Sequence, residues 1–167
     1  MEASVPDAAA VEIKWPNDVL LGGLKTSGIL MELGAEATQV AYLVLGIGVN
    51  LNVDRTAFPP EFRELATSLA SHGAAPVDRL AFTRRLYQRL EDVLDRCAAA
   101  GFDAVRDAFE ARFRMVGRRI VALDLDGARL EGVALGIDKD GALRMARDDG
   151  TETRVIAGDV TLAKERT

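Results

Sequence analysis

The part of the chain that decides the fold is residues 11–52, which read VEIKWPNDVLLGGLKTSGILMELGAEATQVAYLVLGIGVNLN. Apolar and charged residues alternate from Val11 to Trp15, and this period of two predicts a half-buried strand. Pro16 ends that strand because it has no N–H to give to a ladder. Further strands are predicted at residues 19–21, 28–33 and 40–45, with turns at 22–23 and 34–37. The stretch therefore predicts an antiparallel meander with short connections.

The hydrophobic period changes to that of helices in the middle of the chain. A first amphipathic pattern is carried by Phe62, Leu65, Ala66 and Leu69. A stronger one follows in Leu86, Leu90, Val93, Leu94 and Cys97. Pro76 precedes this second pattern and Gly101 follows it, which is the usual asymmetry of helix ends. A third, shorter helix is predicted around Val105, Phe109 and Phe113.

Short strands return after Val116. They are predicted at residues 120–123, 130–137, 142–145 and 154–156, with Asp-Gly turn signals at 126–127, 140–141 and 149–150. Strands of this length and spacing are typical of a small SH3-like barrel. The sequence therefore predicts an α+β protein with two domains. Residues 1–115 would form a mixed or antiparallel sheet with helices, and residues 116–167 would form the barrel.

Composition narrows the class of function. The formal net charge of −5 argues against nucleic acid as the principal partner, because phosphate binding usually leaves a basic footprint. One cysteine and one histidine exclude an ordinary zinc site made by this chain alone. No apolar run is long enough to span a bilayer, and the first ten residues have no secretory pattern. These features predict a cytoplasmic protein without a membrane partner.

The candidate chemistry is concentrated between Asn17 and Asn50. Lys25 precedes Thr26-Ser27-Gly28, a predicted small-residue turn, and a lysine there can serve as a point charge for phosphate or carboxylate. The asparagine amides can donate to and accept from a nucleotide, and Asp18 could hold a cation between phosphates. A lone lysine beside a turn is nevertheless more often a solvated surface residue. Only the order and spacing of these residues favour a pocket for an anionic molecule and a nucleotide.

The glycines of the segment allow a backbone to approach a ligand closely. They are Gly28, Gly46 and Gly48. The spacing of the last two resembles a dinucleotide-binding fingerprint, but the third glycine of that fingerprint would fall at Leu51. A dinucleotide site is therefore not predicted.

Three strings in this order resemble the biotin–protein ligases, also called biotin–[acetyl-CoA-carboxylase] ligases. They are KWPNDV at 14–19, KTSGIL at 25–30 and GIGVNLN at 46–52. The predicted C-terminal barrel is similar to the family's C-terminal module, so the resemblance runs from Val11 almost to the end of the chain. It implies a class II synthetase-like ligase catalytic core followed by an SH3-like barrel. It also implies Trp15 as a structural residue.

The resemblance implies ATP-dependent biotinylation in two steps. Biotin and ATP would give biotinyl-5′-AMP and pyrophosphate, and biotin would then pass to a lysine of a biotin carboxyl carrier domain. Lys25 matches the family's essential lysine, which contacts the biotin carboxylate and the α-phosphate. The positions implied for biotin are Lys25, Gly28, Gly46 and Gly48, and those for the nucleotide are Lys14, Asn17, Asp18 and Asn50. Asp18 is also the expected ligand of Mg²⁺.

One departure from the family affects the expected activity. The G-R-G-R-x-G loop that should precede the KWPND string does not occur in these 167 residues, and Gly117-Arg118-Arg119 lies in the wrong place to replace it. The chain is expected to correspond to roughly the C-terminal two-thirds of a short ligase, with no DNA-binding domain, and to be inactive or nearly so alone. A non-catalytic module that binds an acceptor domain or nucleotide, and a lipoate-type relative, stay open as alternatives. A homodimer is expected only by analogy.

Overall fold

The computed structural model of the chain describes residues 11–36, 39–73, 75–123 and 127–162. The chain divides into two compact units. The first unit contains residues 1–12 and 17–83, and the second contains residues 13–16 and 84–167. The expected boundary at Val116 stays a prediction.

The first sheet has four strands in the order β1-β2-β3-β4. The strands are β1 (Val11–Lys14), β2 (Asp18–Leu21), β3 (Leu24–Glu36) and β4 (Gln39–Val49). Each of the pairs β2–β3 and β3–β4 is antiparallel, which confirms the meander. β3 runs on to Glu36, so residues 34–36 are strand and not the expected turn, while residues 37–38 lie outside the described residues.

The segment at Thr26-Ser27-Gly28 is a strand and not the expected turn. It lies inside β3, where Val19 faces Ser27 but Leu20 faces Lys25. Thr26 is therefore one extra residue in β3, a β-bulge that bends the strand without ending it. The small residues correctly indicated an irregularity here, but the prediction of a turn was wrong, because the irregularity is a bulge inside a strand.

The prediction of a helix over residues 62–69 is also wrong. The chain there makes only 3₁₀ turns, at Arg55–Ala57, Pro60–Phe62 and Leu69–His72. Its backbone groups pair instead with the sheet: Lys25 N–H donates to the Leu65 carbonyl at 2.8 Å, and Thr67 N–H donates to the Lys25 carbonyl at 2.8 Å. Backbone N–H and C=O groups that bond to β3 cannot also form the hydrogen bonds of a helix. The segment therefore follows β3 instead of forming a helix beside it.

The two remaining helices are present. They are α1 (Arg79–Ala100) and α2 (Asp103–Glu110). Gly101 ends α1 with φ +65°, the left-handed conformation that glycine adopts at little cost. No helix among the described residues combines the length and apolar content that a bilayer span requires.

The second unit contains an antiparallel sheet of five strands in the order β8-β7-β6-β5-β9. Their bounds are β5 (Arg119–Leu123), β6 (Arg129–Ile137), β7 (Leu143–Arg147), β8 (Glu152–Val155) and β9 (Asp159–Leu162). The sequence predicted the first four, while β9, which pairs with β5, was missed. The turns at Gly141 and Gly150 have φ of +85° and +82°, as Asp-Gly turns require.

Trp15 is a core residue of this second unit. It is 4% exposed and packs in a cluster with Phe113, Met115 and barrel residues such as Leu143. Its indole N–H donates to the Gly141 carbonyl at 3.0 Å, so the polar edge of the ring is also satisfied. The structural role expected for Trp15 is confirmed. Together, the two antiparallel sheets and two helices confirm the α+β class.

Candidate functional site

A cavity of about 490 Å³ opens on β3 and β4 in the first unit. It is lined by Asn17, Lys25, Gly28, Ile29, Leu30, Gly46, Ile47 and Gly48. The strand register explains this set, because Gly28 faces Gly48 and Leu30 faces Gly46 across the β3–β4 pair. Gly28, Gly48 and the nearby Gly46 leave backbone in place of side chains, and this forms the floor of a concave surface.

The Lys25 ammonium lies over Gly28. A Cβ built on Gly28 would meet Lys25 Cε at 3.2 Å and Lys25 Nζ at 3.3 Å. These distances are tighter than ordinary contact, so the absence of a side chain at Gly28 makes room for the lysine. The β-bulge at Thr26 brings the two residues to the same side of the strand.

Asp18 holds the ammonium from the neighbouring strand. Asp18 Oδ1 lies 2.5 Å from Lys25 Nζ, and Asp18 faces Gly28 in the β2–β3 register. The Asp18 side chain is 12% exposed and that of Lys25 is 47% exposed. The Asp18 carboxylate is thus largely shielded from water, whereas the Lys25 ammonium still contacts water. A ligand anion can therefore approach Lys25 from the open side of the cavity.

Asn17 is fixed at the rim of the cavity by two hydrogen bonds to Ile29. Its Nδ2 donates to the Ile29 carbonyl at 3.0 Å, and its own carbonyl accepts from Ile29 N–H at 2.9 Å. Its side-chain oxygen has no partner among residues that the structure describes. The side chain is exposed, so this oxygen is free to accept a hydrogen bond from a ligand.

Asn50 and Lys14 do not line the cavity. Asn50 secures the chain after β4, since its Nδ2 donates to the Thr67 carbonyl at 3.1 Å and its N–H donates to the Thr26 carbonyl at 2.8 Å. Lys14 belongs to the second unit. The structure therefore brings together Lys25, Asp18, Asn17 and the three glycines out of the expected set.

Three apolar residues of the lining were not expected from the sequence. They are Ile29, Leu30 and Ile47. Each is a neighbour of an expected glycine, so placing the two strings on adjacent strands in register would have indicated them. The sequence alone did not supply that register.

The described residues contain no group of three or more His, Cys, Asp or Glu side chains that could hold a metal ion. Asp18, the expected Mg²⁺ ligand, has the Lys25 ammonium beside its carboxylate. A lone carboxylate that is already neutralised does not make a protein metal cage, although Mg²⁺ also binds through phosphates and water. Magnesium coordination by Asp18 stays a prediction.

Family models match both parts of the chain. The model described as "Biotin/lipoate A/B protein ligase family" matches residues 4–50. The model described as "Biotin protein ligase C terminal domain" matches residues 116–162. The first match contains the whole cavity lining, and the second contains the five barrel strands.

Curated relatives are similar along most of the chain. The bifunctional ligase/repressor BirA of Bacillus subtilis is 32% identical over 160 residues, which is 95% of this chain and 49% of that protein. The biotin--[acetyl-CoA-carboxylase] ligase of Mycobacterium tuberculosis is 37% identical over 154 residues, which is 91% of this chain and 53% of that protein. The chain thus spans about half the length of these relatives.

Solved structures show the same fold. The apo biotin protein ligase of Aquifex aeolicus aligns with TM-score 0.80 and 22% identity over 92% of this chain and 66% of its own. The same enzyme in complex with biotin and ATP aligns with TM-score 0.77 and 24% identity, over 93% of this chain and 62% of its own. At this identity the alignment supports the architecture alone. With a family model matching at each end and ligases of 32% and 37% identity along its length, the chain belongs to the biotin protein ligase family.

Proposed function

We propose that this chain takes part in ATP-dependent attachment of biotin to a lysine of a biotin carboxyl carrier domain. The observation that carries the proposal is the Lys25 ammonium, held by Asp18 over glycine backbone in a cavity that Asn17 also lines. This is one positive charge in a concave site with an amide acceptor at its rim. Membership of the biotin protein ligase family supplies the substrate class.

In the first proposed step, a carboxylate oxygen of biotin attacks the α-phosphorus of ATP. The bond from that phosphorus to the bridging oxygen breaks, and pyrophosphate leaves, giving biotinyl-5′-AMP. Both reacting groups are anions, so their approach needs a positive charge between them. Lys25 supplies this charge, Gly28 with Gly46 and Gly48 gives the biotin chain access to the backbone, and Asn17 orients the nucleotide.

In the second proposed step, the neutral amine of the acceptor lysine attacks the carbonyl carbon of biotinyl-5′-AMP. An amide bond forms, the bond from that carbon to the phosphate oxygen breaks, and AMP leaves with the electron pair. The amine loses its proton to solvent. The Lys25 ammonium stabilises the negative charge that collects on the departing phosphate. Mg²⁺ enters this scheme as the companion of ATP, and no residue of the chain is assigned to it.

We further propose that the chain alone turns over slowly. Lys25 is 47% exposed, and water weakens the charge interactions that adenylation requires. A site that stays wet is expected to bind biotin and nucleotide while accelerating their reaction poorly. This exposure is also what favours the second candidate function, a module that binds nucleotide or an acceptor domain without chemistry. A lipoate-type activity is less well supported, because the C-terminal match is to a biotin ligase domain.

The test combines calorimetry and turnover on the purified chain. Titration with biotin and with ATP is expected to give saturable binding that Lys25→Met weakens at least tenfold, since a cation facing an anion is removed. Lys139→Met is the matched control, because Lys139 is exposed in a turn of the second unit. Incubation with a carrier domain then measures biotin transfer against that of a full-length ligase.

Each outcome separates the candidates. Binding with slow transfer that Lys25→Met abolishes supports the proposed ligase function. Binding without any transfer supports the non-catalytic module, and transfer of lipoate in preference to biotin supports the lipoate-type relative. Turnover equal to that of a full-length ligase would show that the exposed Lys25 does not limit the rate. Absence of biotin and ATP binding would overturn the proposal.

A further inference from the structure

Residues 65–70, which we call the strap, lie beside β3 where its pairing with β4 has ended. The β3–β4 register begins at Ser27, so Lys25 lies outside that ladder. The strap pairs with it instead, since the Lys25 N–H donates to the Leu65 carbonyl and the Thr67 N–H donates to the Lys25 carbonyl, both at 2.8 Å. Both backbone hydrogen-bonding groups of Lys25 are therefore bound by the strap.

This attachment matters because β3 is irregular at the same point. The bulge at Thr26 gives β3 one residue more than β2 has opposite it, and a bulge disrupts the ladder locally. The β2 side of the strand therefore fixes the Lys25 backbone less firmly than a regular ladder would. A rotation of that backbone would turn the side chain away from Asp18, whose Oδ1 lies 2.5 Å from Lys25 Nζ. The direction of the ammonium thus depends on the strap.

Thr67 is the residue of the strap that is held from the most directions. It is 6% exposed, and its neighbour Ser68 is 0% exposed. The Thr67 carbonyl accepts from Asn50 Nδ2 at 3.1 Å, and its Oγ1 lies 3.0 Å from His72 Nε2. With its N–H bound to Lys25, every polar group of Thr67 has a partner. A buried residue fixed in this way holds one geometry and imposes it on the backbone that it contacts.

We propose that Thr67 is a positioning residue, which holds the backbone of Lys25 through the strap and so directs the Lys25 ammonium into the cavity. The inference rests on the proposed function, in which that ammonium meets the biotin carboxylate and the α-phosphate. It goes further by assigning a role to residues 65–70, which lie outside the cavity lining. The competing explanation is that the strap only supports the sheet, and the experiments separate the two.

Two proline variants of the full chain provide the first test. Thr67→Pro removes the N–H that donates to the Lys25 carbonyl. Ala70→Pro is the matched control, because the Ala70 N–H also donates from the strap at 2.8 Å, but to the Leu51 carbonyl. Calorimetric titration with biotin should show about tenfold weaker binding for Thr67→Pro and a change within about twofold for Ala70→Pro. Adding Thr67→Pro to Lys25→Met should weaken binding by no more than about twofold, since the ammonium is already absent.

NMR relaxation of the lysine ammonium groups tests the same geometry without a ligand. The Lys25 ammonium contacts Asp18, so it should be more restricted than that of exposed Lys139 in the unchanged chain and in Ala70→Pro. In Thr67→Pro its mobility should approach that of Lys139. A chain that binds no biotin but shows this change would refute the proposed function and support the role of Thr67. An ammonium that stays restricted in folded Thr67→Pro would overturn that role.

Thr67→Val decides the matter if circular dichroism shows that Thr67→Pro does not fold. It keeps the backbone N–H and removes only the hydroxyl beside His72. Amide exchange at positions 25 and 67 should then rise together by about fivefold, as expected for one lost hydrogen bond, and Thr67→Ser should restore both rates. The proposal is overturned if exchange at Lys25 is unchanged in Thr67→Val. It is equally overturned if both proline variants weaken biotin binding alike, or if the loss in Thr67→Pro adds to that in Lys25→Met.

Discussion

Replacing either partner of the Asp18–Lys25 ion pair is expected to have unequal consequences for the stability of the first sheet. The two side chains differ in exposure, 12% for Asp18 against 47% for Lys25. Lys25→Met keeps the aliphatic stem but leaves a mostly buried carboxylate without its ammonium neighbour. Asp18→Asn leaves an ammonium that already contacts water. The first change therefore carries a desolvation cost that the second avoids.

The magnitudes follow from that exposure. Breaking a fully buried pair by removing one partner costs about 3–5 kcal/mol, and the open cavity reduces this to about 2 kcal/mol for Lys25→Met. Asp18→Asn loses mainly an attraction screened by solvent and is expected to cost about 0.5–1 kcal/mol. The double variant is expected to cost about as much as Asp18→Asn alone, since the buried charge is gone. The coupling free energy of the cycle is then roughly 2 kcal/mol.

Amide hydrogen exchange, read by mass spectrometry on peptides covering β2 and β3, measures these free energies of opening locally. Lys139→Met supplies the baseline for removing an exposed lysine from the second unit. The reasoning fails if Asp18→Asn opens the strands as much as Lys25→Met does, or if the double variant costs the sum of the singles. Either result would mean that Asp18 is not withdrawn from water and does not hold the ammonium in place.

Three further substitutions test other parts of the structure. Gly132→Ala would put a Cβ 2.2 Å from the Ala146 carbonyl oxygen, and this backbone atom cannot move aside as a side chain could. The substitution is therefore expected to destabilise the second unit by about 3 kcal/mol, measured by tryptophan fluorescence in urea. An effect below about 1 kcal/mol would refute the close strand contact. Thr26→Val removes a buried hydroxyl that has no hydrogen-bond partner among the described residues, and local amide exchange should show a gain of about 1 kcal/mol instead of a loss. The hydrogen bond from Arg154 lowers the pKa of Asp140, so stability from this carboxylate is present above its ordinary pKa near 4 and is lost as pH falls through the lower folded value. The difference in stability between the unchanged chain and Asp140→Asn should therefore shrink in urea titrations below about pH 4, and a difference that stays constant would contradict the pairing.

The sequence predicted elements whose own periodicity decides their form. The 22-residue helix α1 and the strands of the first sheet are of this kind. The prediction from sequence failed where hydrogen bonds to distant parts of the chain decide which structure a segment adopts. Residues 62–69 have helical spacing, but their backbone pairs with Lys25 in β3, and Leu69 N–H donates to the Asn50 carbonyl at 2.9 Å. A pattern of side chains cannot indicate that a backbone is used elsewhere.

The candidate site was predicted as a set of residues but not as a geometry. Sequence order placed Asn17, Lys25 and the glycines near one another, and one cavity does contain them. It also grouped Asn50 and Lys14 with them, although neither lines that cavity. The roles of all these residues stay predictions, because position in a motif does not determine which way a side chain faces.

The spacing of Lys25 and Gly28 contains a conflict that only the fold settles. Residues three apart in a regular strand point to opposite faces of the sheet, so a lysine and a glycine at this spacing could not meet. Thr26 adds one residue to β3, which restores a shared face, and the ammonium then lies 3.3 Å from the position that a Gly28 Cβ would occupy. A bulge costs a ladder interaction, and it is retained where it directs a side chain. In this chain the bulge at Thr26 is what lets Lys25 and Gly28 share a face, and the direction of the Lys25 charge depends on it.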